Sequence, residues 1–348
     1  MKNLKKVIFW VVIVGAVVGA FFTYYVYQTI FADNTAFNNE EAHIYIESTA
    51  GFDEVKADLE PLLKDIDAFE TVARKKAYTS NIKAGHYVIK KGMSNNDIIN
   101  TLRVNNVPVT IRFNNQERLE DLAGRLAAQV EVDSTALIAA MRDPRFLADK
   151  GFNQANALSM YLPNSYQVYW NTSPEGLREK MWKEYQNFWN QERKAKAAQM
   201  GYTPLQITAL AAIVQKETAK ADERPRVAGV YVNRLKQGMP LQADPTVIYA
   251  KKLVENDFDQ TIKRVLYRDL EIDSKFNTYK YAGIPPGPIA MPDISTIDAV
   301  LNYEKHNYLY FVVDVTNFGY HKFASSLSQH NRNKAEYVKW INAQGINR

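Results

Sequence analysis

Residues 7–27, VIFWVVIVGAVVGAFFTYYVY, form an apolar run without a single charge. As a helix this run would extend roughly 32 Å at 1.5 Å per residue, about the depth of a bilayer's hydrocarbon core. Lys2, Lys5 and Lys6 precede it, and Asp33, Glu40 and Glu41 follow. The positive-inside rule then predicts a cytoplasmic N-terminus, with the remainder of the chain outside. Tyr24, Tyr25 and Tyr27 suit an interfacial aromatic belt. The run exceeds a signal-peptide core and no small-x-small cleavage site follows, so the expectation is an uncleaved anchor at residues 1–30.

At 348 residues the chain has room for two domains beyond such an anchor. The formal charge is +5, and taking away the three N-terminal lysines leaves +2. That is too weak a basic footprint for a nucleic-acid binder. There is no cysteine, which excludes disulfides and thiolate metal or redox sites.

Residues 31–43 are polar and read as a short tether. From 44 to 112 the pattern is that of a small α+β module. Two stretches, IYIESTAGFDEVKADL and YVIKKGMSNNDIINTL, each read strand, Gly turn, helix. Ser94 and Asp97 make a capping box for the second helix, DIDAFETVARKKAY reads as a helix between them, and VPVTIRF reads as a closing strand. From 113 onward a larger domain is expected. Leu119, Leu122 and Leu126 mark one helical face, and a helix begins near Asp133 or Ser134. The spacing of Leu177, Met181, Tyr185, Phe188 and Trp189 predicts one long helix over 174–200, stopped by Gly201. Thr203, Pro204 and Gln206 open the next helix with a Thr-x-x-Gln box. The segment GIPPGPIAMP is loop, and YLYFVVDV followed by NFGYHKF reads as a hairpin.

That next helix, which reads as amphipathic, carries Glu217 in its apolar stripe. At 100° per residue, Glu217 lies about 20° from Leu210 and about 40° from Ile213. A carboxylate so directed is either paired with Arg224 or Arg226, or it lies on a cleft wall. In the second case desolvation raises its pKa toward that of a general acid for glycosidic cleavage. Asp244, before Pro245, reads as an N-cap, with a second catalytic carboxylate as the alternative. Gln242 could present its amide to a ligand. Asn277 and Tyr279, with His321, Phe323 and Asn331, are further polar or aromatic candidates. His321 and His330 lack metal-site spacing and no HExxH occurs, so no metal or other cofactor is expected.

The runs IVQKETAKADERPRVAGVYVNRLKQGMPLQADPTVIYA, NTY, GIPPGPIAMP, YLYFVV and HKFASSLSQHNR together resemble the endolytic murein transglycosylases, the YceG-like family, over about 215–332. GHYVIKKGMSNNDIINTL resembles that family's LysM-like module more loosely. The resemblance implies an α+β fold with one transmembrane helix, a LysM-like module at 44–112 and a catalytic domain at 113–348. It implies non-hydrolytic cleavage within peptidoglycan glycan strands, between N-acetylmuramic acid and N-acetylglucosamine, giving 1,6-anhydro ends. Glu217, in the K-E-T run, would act first as acid and then as base. Gln242, Asp244, Thr246, Asn277, Tyr279, Pro286, His321, Phe323 and Asn331 match segments that line the family's cleft. The implied location is the bacterial inner membrane with the C-terminal domains extracytoplasmic, beside the cell-wall synthesis machinery as a partner. One loop departs from the family pattern E-G-x-L-F-P-D-T-Y. Here LSMYLPNSY puts Leu158, Ser159 and Asn164 where the acid, the Gly and the Asp would stand, while Pro163 and Tyr166 remain. Two rival readings stay open: a muramidase-type hydrolase using Glu217 with Asp244 or Glu223, and a non-catalytic wall-binding scaffold.

Overall fold

In the computed structural model, which describes residues 2–344, the apolar run lies within one helix, α1 (Lys2–Ile30). The stretch Asn3–Ile30 is long and apolar enough to cross a membrane, and its most apolar window is not buried against the rest of the chain. Trp10, Val11, Phe21 and Phe22 all face outward, an arrangement favourable in lipid and costly in water.

The chain divides into two units. The first holds residues up to Ile111 together with 129–132 and 166–173. The second holds 112–128, 133–165 and the chain from Pro174 onward.

In the first unit, β1 (Glu41–Ile46) precedes α2 (Phe52–Leu59) and α3 (Ile66–Lys75), and β2 (Gly85–Lys90) precedes α4 (Asn95–Val104). The strands pair antiparallel, with Ile44 opposite Tyr87 and Ile46 opposite Gly85. Side chains alternate across a strand, so Ile44 and Ile46 point inward onto Val55, Phe69, Ile98 and Leu102. The Ser94–Asp97 capping box is present at the start of α4. The segment expected as a tether is pinned instead. The Asn34 side chain donates to Asn95 Oδ1 at 2.7 Å and to the Asp65 carbonyl at 2.8 Å, and accepts from the Asp65 amide. Asn95 in turn donates to the Thr29 carbonyl at 2.8 Å. These bonds fasten the last turn of α1 to α3 and α4.

The chain continues through β3 (Val109–Phe113), α5 (Leu119–Ala127), α6 (Ser134–Met141), α7 (Pro144–Asp149) and β4 (Asn164–Val168), and β3 pairs with β4. Leu119, Leu122 and Leu126 are buried as their spacing predicts, and Asp133 caps α6. The single long helix expected over 174–200 is two helices, α8 (Pro174–Phe188) and α9 (Gln191–Gln199). Asn190 interrupts it by accepting a hydrogen bond from the Arg193 amide as an N-cap. The apolar stripe hides the break because Trp189, outside either helix, is buried as well.

Next comes α10 (Pro204–Glu217), opened by the Thr203–Gln206 box. It is not amphipathic, since every residue from Ile207 to Val214 is buried, the mark of a central helix. Around it pack α9, α11 (Arg224–Lys236), α12 (Asp244–Glu255) and α13 (Ile294–Leu301). An antiparallel hairpin of β5 (Tyr310–Val313) and β6 (His321–Ala324) follows, and α14 (Leu327–Ala343) packs on it. The architecture is mixed α+β.

Candidate active site

Glu217 is the last residue of α10, where the buried helix reaches a partly open wall. The Tyr231 hydroxyl, from buried α11, donates to its Oε1 at 2.8 Å. Tyr231 is itself held edge-on by Phe311 of β5, with centroids 5.9 Å apart. Burial pushes the Glu217 carboxyl up from 4.5 to about 7. The Tyr231 hydrogen bond opposes that rise, the negative charge of Asp244 adds to it, and His321 and Arg234 oppose it more weakly. Its position at the negative end of the α10 dipole also disfavours the charged form.

The pairing with Arg224 or Arg226 that the sequence left open is not made. Arg224 donates to Thr296 Oγ1 at 2.7 Å, and Arg226 binds Glu304 at 3.0 Å. The nearby cation is Arg234, anchored to the carbonyls of Leu309 and Leu241, each at 2.7 Å.

Asp244 differs from its expected role. Ala243 occupies the cap position, and Asp244 is the first helical residue without a capping bond. Its Oδ1 accepts from the Tyr279 hydroxyl at 2.6 Å. Burial and that neighbouring charge push the Tyr279 phenol well above its ordinary range. Two buried threonines bring these segments together. Thr246 Oγ1 lies 2.8 Å from Thr278 Oγ1, while the amides of Gln242 and Ala243 donate to the Thr278 carbonyl and hydroxyl, each at 3.1 Å. Gln242 adopts a φ of 50° to make this turn, a conformation few non-glycine residues take, and its side chain is exposed. Asn277 is fully buried. Its side chain donates to the carbonyls of Leu270 and Ile272 at 2.8 and 2.9 Å and accepts from the Tyr279 amide at 3.0 Å. Thr246 and Asn277 thus spend their polar atoms within the protein, where they shape the turn that presents Tyr279.

On the hairpin, His321 binds Glu223 twice, through its amide and through Nδ1, each at 2.8 Å. Burial works against charge on Glu223, but the His321 ring, the His321 amide and the Thr218 hydroxyl hold it below its ordinary value. Phe323 packs against Tyr308 and Phe311, with Arg226 over its ring at 5.6 Å. Asn331 is exposed on α14, and His330 stacks on Tyr310 at 5.2 Å. Pro286 is exposed while Pro285 and Pro288 are buried. Gly287 anchors the proline loop, because a Cβ there would lie 1.9 Å from the Ala155 carbonyl oxygen. In the departed loop Leu158 and Ser159 are buried and Asn164 is exposed.

The charges acting on Glu217 therefore come from Asp244, His321 and Arg234, with the Tyr231 hydroxyl in direct contact. Tyr231 had no sequence signal, since it lies one helix later with a spacing of 14 residues. The same holds for Arg234.

The model for the YceG-like family matches residues 44–336. A Bacillus subtilis (strain 168) protein named endolytic murein transglycosylase is 31% identical over 294 residues, which cover 80% of this chain and 79% of that one. A Streptococcus pneumoniae R6 protein of the same name is 30% identical over 301 residues, 78% of this chain and 53% of its own length. The chain thus spans about half of that relative. A crystal structure of a yceG-like protein from Listeria monocytogenes superposes with a TM-score of 0.55 at 26% identity, covering 85% of this chain and 99% of that one. A family match over most of the sequence, with relatives at 30 and 31% identity along it, establishes that the chain belongs to the YceG-like family.

Proposed function

We propose that this protein is an endolytic lytic transglycosylase that cuts the bond between N-acetylmuramic acid and N-acetylglucosamine within peptidoglycan strands, with Glu217 as its acid and then its base. One observation carries the reading: a carboxyl raised to about 7, on a chain whose relatives bear the name endolytic murein transglycosylase. Because Tyr231 occupies Oε1, Oε2 is the oxygen free to hold the proton. It passes that proton to the glycosidic oxygen as the C1–O bond breaks. The ionised carboxylate is costly in this surrounding, so it readily takes a proton from the muramic C6 hydroxyl. The C6 oxygen closes on C1, giving a 1,6-anhydro end and restoring the acid. No second carboxylate is consumed, which agrees with an Asp244 tied to Tyr279 and a Glu223 tied to His321.

The same reading takes residues 44–112 as a LysM-like module and α1 as a single-pass anchor with a cytoplasmic N-terminus. It places the second unit outside the membrane beside the synthesis machinery that extrudes new strands. Lys5 and Lys6 before the apolar run support that orientation. Full-length protein in detergent, incubated with purified murein and read by mass spectrometry, tests the activity. Anhydro ends, lighter by one water than reducing ends, are expected, and Glu217→Gln should abolish them while the fold persists. Reducing ends would mean a hydrolase. Binding of sacculi without cleavage by wild type would mean a scaffold.

A further inference from the structure

A groove of about 550 Å³ runs along the side of Asp244 and Tyr279 and is walled further by Lys263, Arg264, Tyr267 and Tyr337. It leaves the candidate site by the same two side chains that border it. Lys263 and Arg264 are exposed and form no ion pair or hydrogen bond among the described residues. Other cavities of this unit differ. In the cleft lined by Pro245, Ile248 and Tyr249 of α12, Lys216 and Lys252 are both committed to Glu117, at 2.7 and 2.9 Å. Nearby, Arg118 is committed to Asp121 and Arg142 to Glu120. In the groove beside Tyr279, by contrast, Lys263 and Arg264 stand without an acid of the described residues to neutralise them. The exposed Tyr267 ring and Leu266 supply apolar surface next to the two charges.

We infer that this groove binds the carboxylate-bearing peptide branch of the glycan, with Lys263 and Arg264 as its specificity-determining residues. The inference rests on the activity proposed above. A strand seated against Glu217 carries its peptide on the muramic sugar, so the branch must leave the cleft beside the reacting unit. Murein's anionic groups lie in those peptides. A guanidinium and an ammonium side by side suit two carboxylates, and the tyrosine and leucine surface suits the alanine methyl groups between them.

The test compares full-length protein on strands with intact peptides and on strands stripped of them, for wild type and the Lys263→Ala/Arg264→Ala double variant. Wild type should show a KM roughly tenfold lower for peptide-bearing strands, the size expected of two exposed charge contacts. The double variant should lose that preference while keeping kcat and its constants on stripped strands. Lys263→Arg should retain it, and so should a Lys183→Ala/Lys194→Ala control on α8 and α9. No preference in wild type, or an equal loss on both substrates in the double variant, overturns the inference. If no form cuts any strand, the activity reading fails separately. The groove is then judged by calorimetry on Glu217→Gln protein, using a disaccharide tetrapeptide and the bare disaccharide. Tighter binding of the peptide form that vanishes in the cation-less protein supports the inference, and equal binding overturns it. Competition by inorganic pyrophosphate but not by the tetrapeptide would make the groove a phosphate site and also overturn it.

Discussion

Replacing Glu217 by Gln should stabilise the protein by an amount that grows as pH rises from 4.5 to about 7 and is constant above. The folded carboxyl titrates near 7 instead of at its ordinary 4.5. Below pH 4.5 it is protonated both folded and unfolded, so it adds no pH dependence. Between the two values the unfolded chain releases the proton while the fold retains it. Wild-type stability therefore falls as pH rises through that window, and above 7 the loss is complete and constant. The gap corresponds to roughly 3 kcal/mol, and since part of the side chain meets solvent, about 2 kcal/mol is the working figure. The amide of Gln keeps an oxygen for the Tyr231 hydroxyl and does not titrate. For a unit of this size, 2 kcal/mol amounts to about 6 °C in midpoint. Thermal unfolding of full-length protein in detergent, followed by tryptophan fluorescence, reads it, because Trp189 is buried within the second unit. The two midpoints should coincide at about pH 3.5, below the ordinary carboxyl value, and separate by about 6 °C at pH 8. A gap independent of pH, or a destabilised Gln variant at pH 8, would refute the account of a desolvated carboxyl.

Two substitutions should move the basic limb of the pH–rate profile in opposite directions, because under the proposed mechanism that limb reports the acid form of Glu217. Tyr231→Phe removes a bond that favours the ionised form and should raise the limb by about one pH unit, whereas Asp244→Asn removes a like charge and should lower it. Shifts of the same sign would exclude this arrangement. Gly287→Ala forces a methyl into the Ala155 carbonyl and should cost about 3 kcal/mol. A lowered unfolding midpoint together with a raised KM would register it, and an unchanged midpoint would show that the proline loop is not seated there.

What could be read from the sequence was local. The boxes at Ser94 and Thr203 need three residues of context, whereas the apolar stripe used to aim Glu217 is no guide on a helix buried all round from Ile207 to Val214. The break at Asn190 was masked because Trp189 continues the apolar rhythm through a residue outside either helix. The partners that define the site come from far along the chain. Tyr279 reaches Asp244 across 35 residues, and His321 reaches Glu223 across 98. No periodicity encodes such pairs. The Asp-Pro dipeptide suggested a cap because the competing phenol was out of view.

The asparagine clasp at the end of α1 has a mechanical consequence. With Asn34 and Asn95 bonded to each other, to Asp65 and to Thr29, the end of α1 is tied directly to the starts of α3 and α4. If α1 is the anchor proposed above, a change in its tilt is passed to the helices it is bonded to, like a mast turning its own crossbar. On that reading, the height and bearing of α3 and α4 over the bilayer follow from how the anchor lies in the lipid.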